Sequence, residues 1–189
     1  MSQDGFTNLM ARLRELASGP LERATAMPPA IYHSDEIHAL EKERIFAKEW
    51  LCVGRAKDIP NTGDYLTFSI NDQPVFSIRG KDDTVRSFSN VCLHRMMQLL
   101  HGHGNCRRIV CPYHAWTYAI DGRQIGAPHM KRTPEFDTEG NCLPAIRTEI
   151  WHGWIYVTLN DDARQGADGL AAREEAVARA WGAALLRGG

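Results

Sequence analysis

The stretch from Cys92 to Trp116 concentrates potential metal ligands more densely than any other part of the sequence. It reads CLHRMMQLLHGHGNCRRIVCPYHAW and contains three of the five cysteines and four of the eight histidines in this chain of 189 residues. Five cysteines are too few, and the chain is too long, for a small scaffold held together by disulfides. Clustered cysteine and histidine therefore indicate a metal site, around which the neighbouring elements must be arranged.

Composition excludes several other classes of protein. Hydrophobic residues make up 43% of the chain and charged residues 24%, with a net charge of −1, as in an ordinary globular protein. This balance gives no reason to expect a nucleic-acid partner. No apolar run is long enough to cross a membrane, and the N-terminus lacks the basic start and apolar core of a signal peptide. We expect a cytoplasmic protein with neither a nucleic-acid nor a membrane partner.

The N-terminal part predicts two helices. Residues 7–17 place three leucines on one face, with Thr7 as the cap, and the pattern stops at Gly19-Pro20. A second helix should begin at Ser34, with acidic residues in its first turn, and continue to Trp50. The apolar positions expected to be buried in these helices are Leu9, Leu13, Leu16, Ile37, Leu40, Ile45 and Trp50.

The middle of the chain predicts short strands joined by tight turns. DYLTFSI and PVFSIRG flank Asn71-Asp72, and VRSFSNV, IVCPYH and WTYAI follow, with Asp121-Gly122 as a further hairpin signal. The last expected strand spans residues 151–160. The predicted fold is mainly β, an antiparallel sandwich or small barrel. The expected division is an N-terminal helical segment at 1–29, a central domain at 30–160 and an Ala/Arg-rich helical tail at 161–189.

Two ligand pairs stand out within the cysteine- and histidine-rich stretch. Cys92 and His94 form a C-x-H pair, Cys111 and His114 form a C-x-x-H pair, and sixteen residues separate the pairs. Each pair falls where a predicted strand ends, so both could lie on loops that face each other. One cysteine and one histidine in each loop suit a [2Fe–2S] cluster with two thiolates on one iron and two imidazoles on the other. A Cys2His2 zinc site is the alternative, although zinc fingers usually pair cysteine with cysteine.

The two pairs, together with the continuation CPYHAWTYAIDGR, resemble the Rieske domain of Rieske non-haem iron oxygenases, and the resemblance extends over residues 30–160. It is greatest to α-subunits and single-component terminal oxygenases. It implies a Rieske-type β-sandwich whose inner iron is held by Cys92 and Cys111 and whose outer iron is held by His94 and His114. It also implies an oxidoreductase that receives electrons from NAD(P)H through a reductase or ferredoxin.

The sequence departs from the Rieske pattern at four positions. Respiratory and photosynthetic Rieske proteins carry an additional cysteine pair where this chain has Met97 and Tyr113, so the corresponding disulfide cannot form. Glycine is common in the oxygenases where this chain has Met96 and Ala115. Glycine would permit backbone conformations that methionine and alanine resist.

The other cysteines and histidines carry weaker signals. Cys106 and Cys111 have half of the plant-type ferredoxin spacing, but His114 stands where that motif needs cysteine. Cys106 is therefore expected to be a loop residue. Tyr113 and Trp116 could shield the site from water. We expect Cys52 and Cys142 to be buried. His101 and His103 are expected at an exposed loop tip. No role is assigned to His129 or His152.

The resemblance also implies a second metal site. Rieske oxygenases activate oxygen at a mononuclear Fe(II) held by two histidines and a carboxylate in a C-terminal catalytic domain. Beyond Trp116 the only histidines are His129 and His152, so this chain is expected to carry electrons without activating oxygen. It could be the Rieske part of a truncated or split α-subunit, a stand-alone Rieske ferredoxin or a non-catalytic relic. Further candidate partners are a catalytic oxygenase domain and a second copy of this chain in a homo-oligomer. The sequence does not distinguish the substrates of choline- or betaine-type oxygenases from those of ring-hydroxylating enzymes.

Overall fold

The computed structural model describes residues 3–128, 130, 133, 136 and 140–163. The expected helical tail lies almost entirely outside them. Contacts divide the chain into two units, one up to Ile45 and one from Phe46 onward. This division lies further along the chain than the expected limit after residue 29, and the domain limits themselves stay predictions. Among the described residues, no helix is sufficiently long and apolar to cross a membrane.

The first helix is longer than its sequence pattern predicted. Helix α1 spans Gln3–Ser18, so Thr7 lies inside it and the prediction that Thr7 caps the helix was wrong. The expected apolar face is present, because Leu9 is buried and Leu13 and Leu16 are half-buried. Two short 3-10 turns follow at Leu21–Arg23 and Pro29–Tyr32.

Helix α2 begins where the sequence predicted and ends much earlier. It spans Asp35–Glu41, and Ser34 caps it by accepting a hydrogen bond from the Ile37 N–H at 3.2 Å. A π-turn at Lys42–Phe46 replaces the expected continuation to Trp50. The wider π-turn rotates later side chains relative to an α-helix. Ile45 is consequently 45% exposed, whereas the α-helical spacing predicted that it is buried.

The part of the second unit that the structure describes contains ten strands, all in antiparallel pairs. A seven-stranded sheet has the order β1-β10-β9-β4-β3-β2-β5, and a three-stranded sheet has the order β6-β7-β8. Their bounds are Leu51–Arg55 (β1), Asp64–Ile70 (β2), Gln73–Arg79 (β3), Val85–Ser89 (β4), His103–Asn105 (β5), Ile109–Val110 (β6), Thr117–Tyr118 (β7), Gln124–Gly126 (β8), Ala145–Trp151 (β9) and Trp154–Thr158 (β10). The predicted mainly β, antiparallel class is confirmed.

Tight turns set the register of the strands. Asn71 and Asp72 join β2 to β3 with φ of 50° and 64°, the conformation that a two-residue hairpin turn requires at both positions. The strand predicted at 151–160 is present but shorter, spanning Trp154–Thr158, because His152 and Gly153 form a second such turn with φ of 48° and 78°. Trp151 therefore ends β9, and Trp154 begins β10 opposite it.

The core of the second unit forms two clusters, one of which lies beneath the predicted metal site. That cluster contains Cys92 and Cys111 together with buried aromatic and aliphatic residues from both sheets. Cys52 and Cys142 are exposed, which corrects the expectation that they are buried. In β1 the alternation of side chains directs Leu51 and Val53 towards the core and Cys52 away from it. Next to Cys142, it is Leu143 that enters the core.

Candidate metal centre

Two loops with the same backbone hydrogen bonds form the candidate site. Loop 1 spans residues 92–97 after β4, and loop 2 spans residues 111–116 between β6 and β7. In each loop the cysteine N–H donates to the carbonyl five residues later at 2.8 Å. In each, the cysteine carbonyl accepts from the N–H four residues later at 3.0 Å. The repeated geometry places the two cysteines at equivalent positions and brings the histidines that follow them to the same end of the unit.

The backbone path shared by the two loops requires a positive φ at the residue four positions after the cysteine. Met96 has φ of 57° and Ala115 has φ of 56°, and these are the two positions where glycine was expected from the resemblance. A side chain in this region costs roughly 1–2 kcal/mol for an L-residue. Methionine and alanine at these positions thus keep the loop conformation, but each carries the backbone strain of a positive φ.

The two thiols are buried close together. Cys92 is 1% exposed and Cys111 is 3% exposed. Burial raises the pKa of the Cys92 thiol, and the neighbouring Cys111 raises it further, whereas hydrogen bonds from the Tyr118 hydroxyl and the His94 backbone N–H lower it. Those donors favour a thiolate at a place where a buried thiolate would otherwise be unfavourable.

The two imidazoles lie side by side at the outer end of the loops. The ring centroids of His94 and His114 are 4.7 Å apart, and the buried Trp116 stacks on His94 at the same centroid distance. Tyr113 is exposed and packs against His114. Desolvation and then the nearby charges of His94 and Arg95 lower the pKa of His114, which favours the neutral imidazole that binds metal.

Tyr118 is a site residue that the sequence did not single out. Its side chain is fully buried, and its hydroxyl lies 3.3 Å from Cys92 Sγ while accepting the Leu93 N–H at 3.1 Å. Because the hydroxyl oxygen already accepts a hydrogen bond, its proton is available for the sulfur. Burial, followed by the contact with Cys92, raises the pKa of Tyr118, so the phenol stays a donor.

Asn90 binds the segment that follows loop 1, and it is a second residue of the site that the sequence did not single out. It is fully buried, its amide nitrogen donates to the Leu100 carbonyl at 2.8 Å, and its amide oxygen accepts the Leu100 N–H at 2.9 Å. Its backbone carbonyl also accepts the Leu99 N–H. These bonds tie the chain that leaves loop 1 to the chain that enters it.

The remaining candidate residues lie outside this centre. Cys106 is half-buried and packs against the core cluster beneath the site. His101, His103 and His152 are exposed, and His129 is outside the described residues. Within the described ranges no three His, Cys, Asp or Glu side chains are arranged around a single metal ion. A two-iron cluster does not need such a group, since each iron takes only two protein ligands.

The donor atoms at the centre suit an iron–sulfur cluster with mixed ligands. Nδ1 of His94 is buried and has no hydrogen-bond partner among the described residues, although a buried polar atom is rarely left in that state. Two adjacent buried thiols on one side and two adjacent imidazoles on the other provide soft and intermediate donors for two irons. The residues present therefore fit the group.

Comparison with known proteins identifies the domain. Residues 49–137 match the family model of the Rieske [2Fe–2S] domain. The chain therefore carries a Rieske iron–sulfur domain, in agreement with its antiparallel fold and paired loops. Over this range it is similar to the Rieske domains of oxygenase subunits.

Relatives with different substrates share this domain. The carnitine monooxygenase oxygenase subunit of Acinetobacter baumannii is 34% identical over 160 residues, which cover 84% of this chain and 43% of the relative. The α subunit of 2-aminobenzenesulfonate 2,3-dioxygenase from Alcaligenes sp. is 39% identical over 137 residues, 70% of this chain and 35% of the relative. These relatives are oxygenase subunits, which favours the oxygenase interpretation over a stand-alone ferredoxin.

A solved structure agrees with both the fold and the class. A quaternary ammonium Rieske monooxygenase, described in connection with carnitine oxidation by gut microbiota and inter-subunit electron transfer, superposes with a TM-score of 0.71 at 34% identity. The alignment covers 81% of this chain and 42% of that chain. This chain thus spans about two fifths of the length of such proteins.

Proposed function

We propose that Cys92 and Cys111 hold one iron of a Rieske [2Fe–2S] cluster, and that His94 and His114 hold the other. In this role the chain passes single electrons from a reductase or ferredoxin, supplied by NAD(P)H, to the mononuclear iron of an oxygenase. When bound, a cluster with two neutral imidazole ligands accepts an electron at a higher potential than a cluster with four thiolates.

One observation carries this proposal: two loops with matched hydrogen bonds bring two buried thiols and two imidazoles together, and Nδ1 of His94 has no hydrogen-bond partner in the described part of the chain. The other residues of the site have supporting roles. Tyr118 and the His94 backbone N–H donate towards the Cys92 sulfur, and Trp116 covers one face of His94 and keeps water from it.

The ligand assignment can be tested by comparing two cysteine variants. Cys92→Ser should abolish the cluster, because a serine hydroxyl replaces an inner-iron thiolate. Cys106→Ser is the matched control and should retain two irons and two acid-labile sulfides, since Cys106 packs in the same core but outside the loops. The measurements are iron and sulfide content and the EPR spectrum of the reduced protein, which by resemblance is rhombic with a low average g.

Ligation by histidine can be tested through the reduction potential of the cluster. His114→Cys should still assemble a cluster but lower its reduction potential, because a thiolate adds negative charge that opposes the reduced state. Stoichiometric zinc without labile sulfide in the parent protein, or loss of the cluster in Cys106→Ser but not in Cys92→Ser, would show that the assignment is wrong.

Activity, substrate and location are proposals at a coarser level. The relatives include a carnitine monooxygenase subunit and an aminobenzenesulfonate dioxygenase subunit, so we propose an oxygenase role without choosing between mono- and dioxygenation. An oligomer in which electrons cross between subunits is compatible with the description of the quaternary ammonium monooxygenase. The cytoplasmic location stays a prediction.

A further inference from the structure

A cleft opens on the cluster-binding unit away from the two imidazoles. It has a volume of about 440 Å³ and is lined by the turn after β3, by Arg107 before β6 and by the segment from the end of β7 into β8. Loop 2 leaves the three-stranded sheet at the opposite ends of β6 and β7. The cleft and the imidazoles therefore lie towards different ends of this sheet.

The charge of the cleft is predominantly positive. Four cationic side chains line it against two carboxylates, namely Lys81, Arg86, Arg107 and Arg123 against Asp82 and Asp121. Each carboxylate is paired with an arginine, Asp82 with Arg86 through two hydrogen bonds and Asp121 with Arg123 at 3.0 Å. Lys81 and Arg107 are exposed and form no ion pair with any other residue that the structure describes. They leave two positive charges available to an acidic partner.

An apolar element lies among these charges. Ile125 lines the cleft and is 51% exposed, at the bulge where β8 pairs irregularly with β7. The inner face of the same small sheet is buried through Ile109, Tyr118 and Gln124. An exposed apolar residue with a charged rim is the usual composition of a transient protein interface.

Two residues that line the cleft follow a residue of the metal centre in the chain. Ala119 and Ile120 line the cleft, and they follow Tyr118, whose hydroxyl reaches Cys92 Sγ at 3.3 Å. The cleft therefore approaches the cysteine side of the centre through one buried side chain. The imidazole side faces out at the loops.

We propose that this cleft is the docking surface for an acidic electron-donor protein of the [2Fe–2S] ferredoxin type, which delivers electrons to the cysteine side of the centre. In each transfer the reduced donor loses one electron and the cluster gains it, and no bond forms or breaks. A plant-type ferredoxin, at about −400 mV, lies below the lowest Rieske potentials of about −150 mV, so the transfer is favourable. This inference rests on the proposed function.

Binding can be measured independently of electron transfer. The probe is an acidic plant-type ferredoxin in its oxidised form, titrated into the cluster-loaded protein by calorimetry at low and high ionic strength. The double variant Lys81→Glu/Arg107→Glu should weaken binding about tenfold or more at low salt, because it replaces attraction with repulsion. The difference should shrink at high salt, where exposed charges are screened.

Two further variants make the result specific to the cleft. The double variant Lys48→Glu/Lys57→Glu, an equal charge reversal at two other exposed positions of the same unit, should leave binding within about twofold of the parent. Arg95→Glu tests docking at the imidazole face, since Arg95 follows His94, and should have a smaller effect than the cleft variant. Stopped-flow reduction by the reduced ferredoxin should follow the same order, whereas reduction by dithionite should be equal in the parent, the cleft variant and the lysine control variant.

Several outcomes would overturn the proposal. Unchanged ferredoxin binding in the cleft variant, or a larger loss in Arg95→Glu, would place docking elsewhere while leaving the proposed function intact. Saturable binding of inorganic phosphate that is lost in the cleft variant, with ferredoxin binding unchanged, would make the cleft a small-anion site. If the cluster-loaded protein accepted no electrons even from dithionite, the proposed function would fail and this inference with it.

Discussion

Single side chains tune the metal centre through contacts to sulfur and imidazole. The hydroxyl of Tyr118 donates towards Cys92 Sγ, and a hydrogen bond to a cluster ligand stabilises the added negative charge of the reduced state. Trp116 stacks on His94 and excludes water from that face. Neither residue needs to bind iron in order to set the potential at which the cluster accepts an electron.

Tyr118→Phe should lower the reduction potential of the bound cluster. The change removes one donor to sulfur and about 1 kcal/mol of differential stabilisation, which corresponds to a shift on the order of 40 mV for one electron. Potentiometric titration monitored by EPR or absorbance measures this shift. Tyr113→Phe is the matched control and should leave the potential unchanged, because Tyr113 is exposed at the loop surface. Equal shifts in the two variants would argue against the hydrogen bond as the cause.

Loops and turns of the second unit contain residues in the left-handed region of backbone space. In the two cluster loops Met96 and Ala115 adopt this conformation without being glycine. In two hairpin turns Gly122 and Gly153 adopt it with φ of 89° and 78°. Introducing glycine into the cluster loops should therefore stabilise the fold, whereas replacing glycine in the hairpin turns should destabilise it.

Ala115→Gly should stabilise the cluster-free protein by about 0.5–1 kcal/mol. It relieves the left-handed strain of roughly 1–2 kcal/mol and adds the smaller entropic cost of glycine. Ala145→Gly, at an exposed position in β9 with ordinary strand geometry, should instead destabilise the protein by about 0.5–1 kcal/mol. Urea unfolding of both variants measures the two free energies. A loss of stability in Ala115→Gly would contradict the strain argument.

Gly122→Ala should destabilise the fold by more than Gly153→Ala. A Cβ at Gly122 would lie 2.5 Å from Cε1 of Phe88, whereas a Cβ at Gly153 would meet nothing within 4 Å. Both changes incur left-handed strain of roughly 1–2 kcal/mol, and crowding against the buried Phe88 should add about 1–3 kcal/mol at Gly122. Chemical denaturation gives the difference. Equal effects would mean that Phe88 moves aside without cost.

At the scale of the whole molecule, the metal centre joins two parts of the chain that are distant in sequence. Loop 1 leaves the seven-stranded sheet after β4, and loop 2 lies within the three-stranded sheet. Their buried cysteines belong to one core cluster that contains residues of both sheets. A group bound between the loops would therefore cross-link the two sheets.

Removing the cluster should lower the stability of the folded protein. Ligands that bind only the native state stabilise it, and closing a loop of this length contributes roughly 3 kcal/mol. We expect the melting temperature of the cluster-loaded protein to exceed that of protein stripped with acid and chelator. In Cys92→Ser the two preparations should melt together. If the cluster-loaded and the stripped parent protein also melted at the same temperature, the cluster would contribute nothing to the stability of the fold.

The sequence by itself determined those features that depend on local spacing. Alternation and turn residues predicted the β2–β3 hairpin at Asn71-Asp72, and Ser34 marked the start of α2. The two ligand pairs, the mainly β class and the Rieske resemblance likewise followed from short motifs, because a motif places its residues on one loop whatever the remainder of the chain does. The departures from glycine at Met96 and Ala115 also identified the strained positions correctly.

Only the tertiary structure decided features that depend on residues far apart in the chain. Tyr118 meets Cys92 across 26 positions, and no local period encodes that distance. The π-turn that exposes Ile45 and the turn that divides the expected strand at His152-Gly153 override locally plausible apolar runs. The charged cleft is assembled from three separate segments of the sequence. Burial, hydrogen bonding to sulfur and surface charge are properties of packed neighbours, and packing brings those neighbours together only in the folded chain.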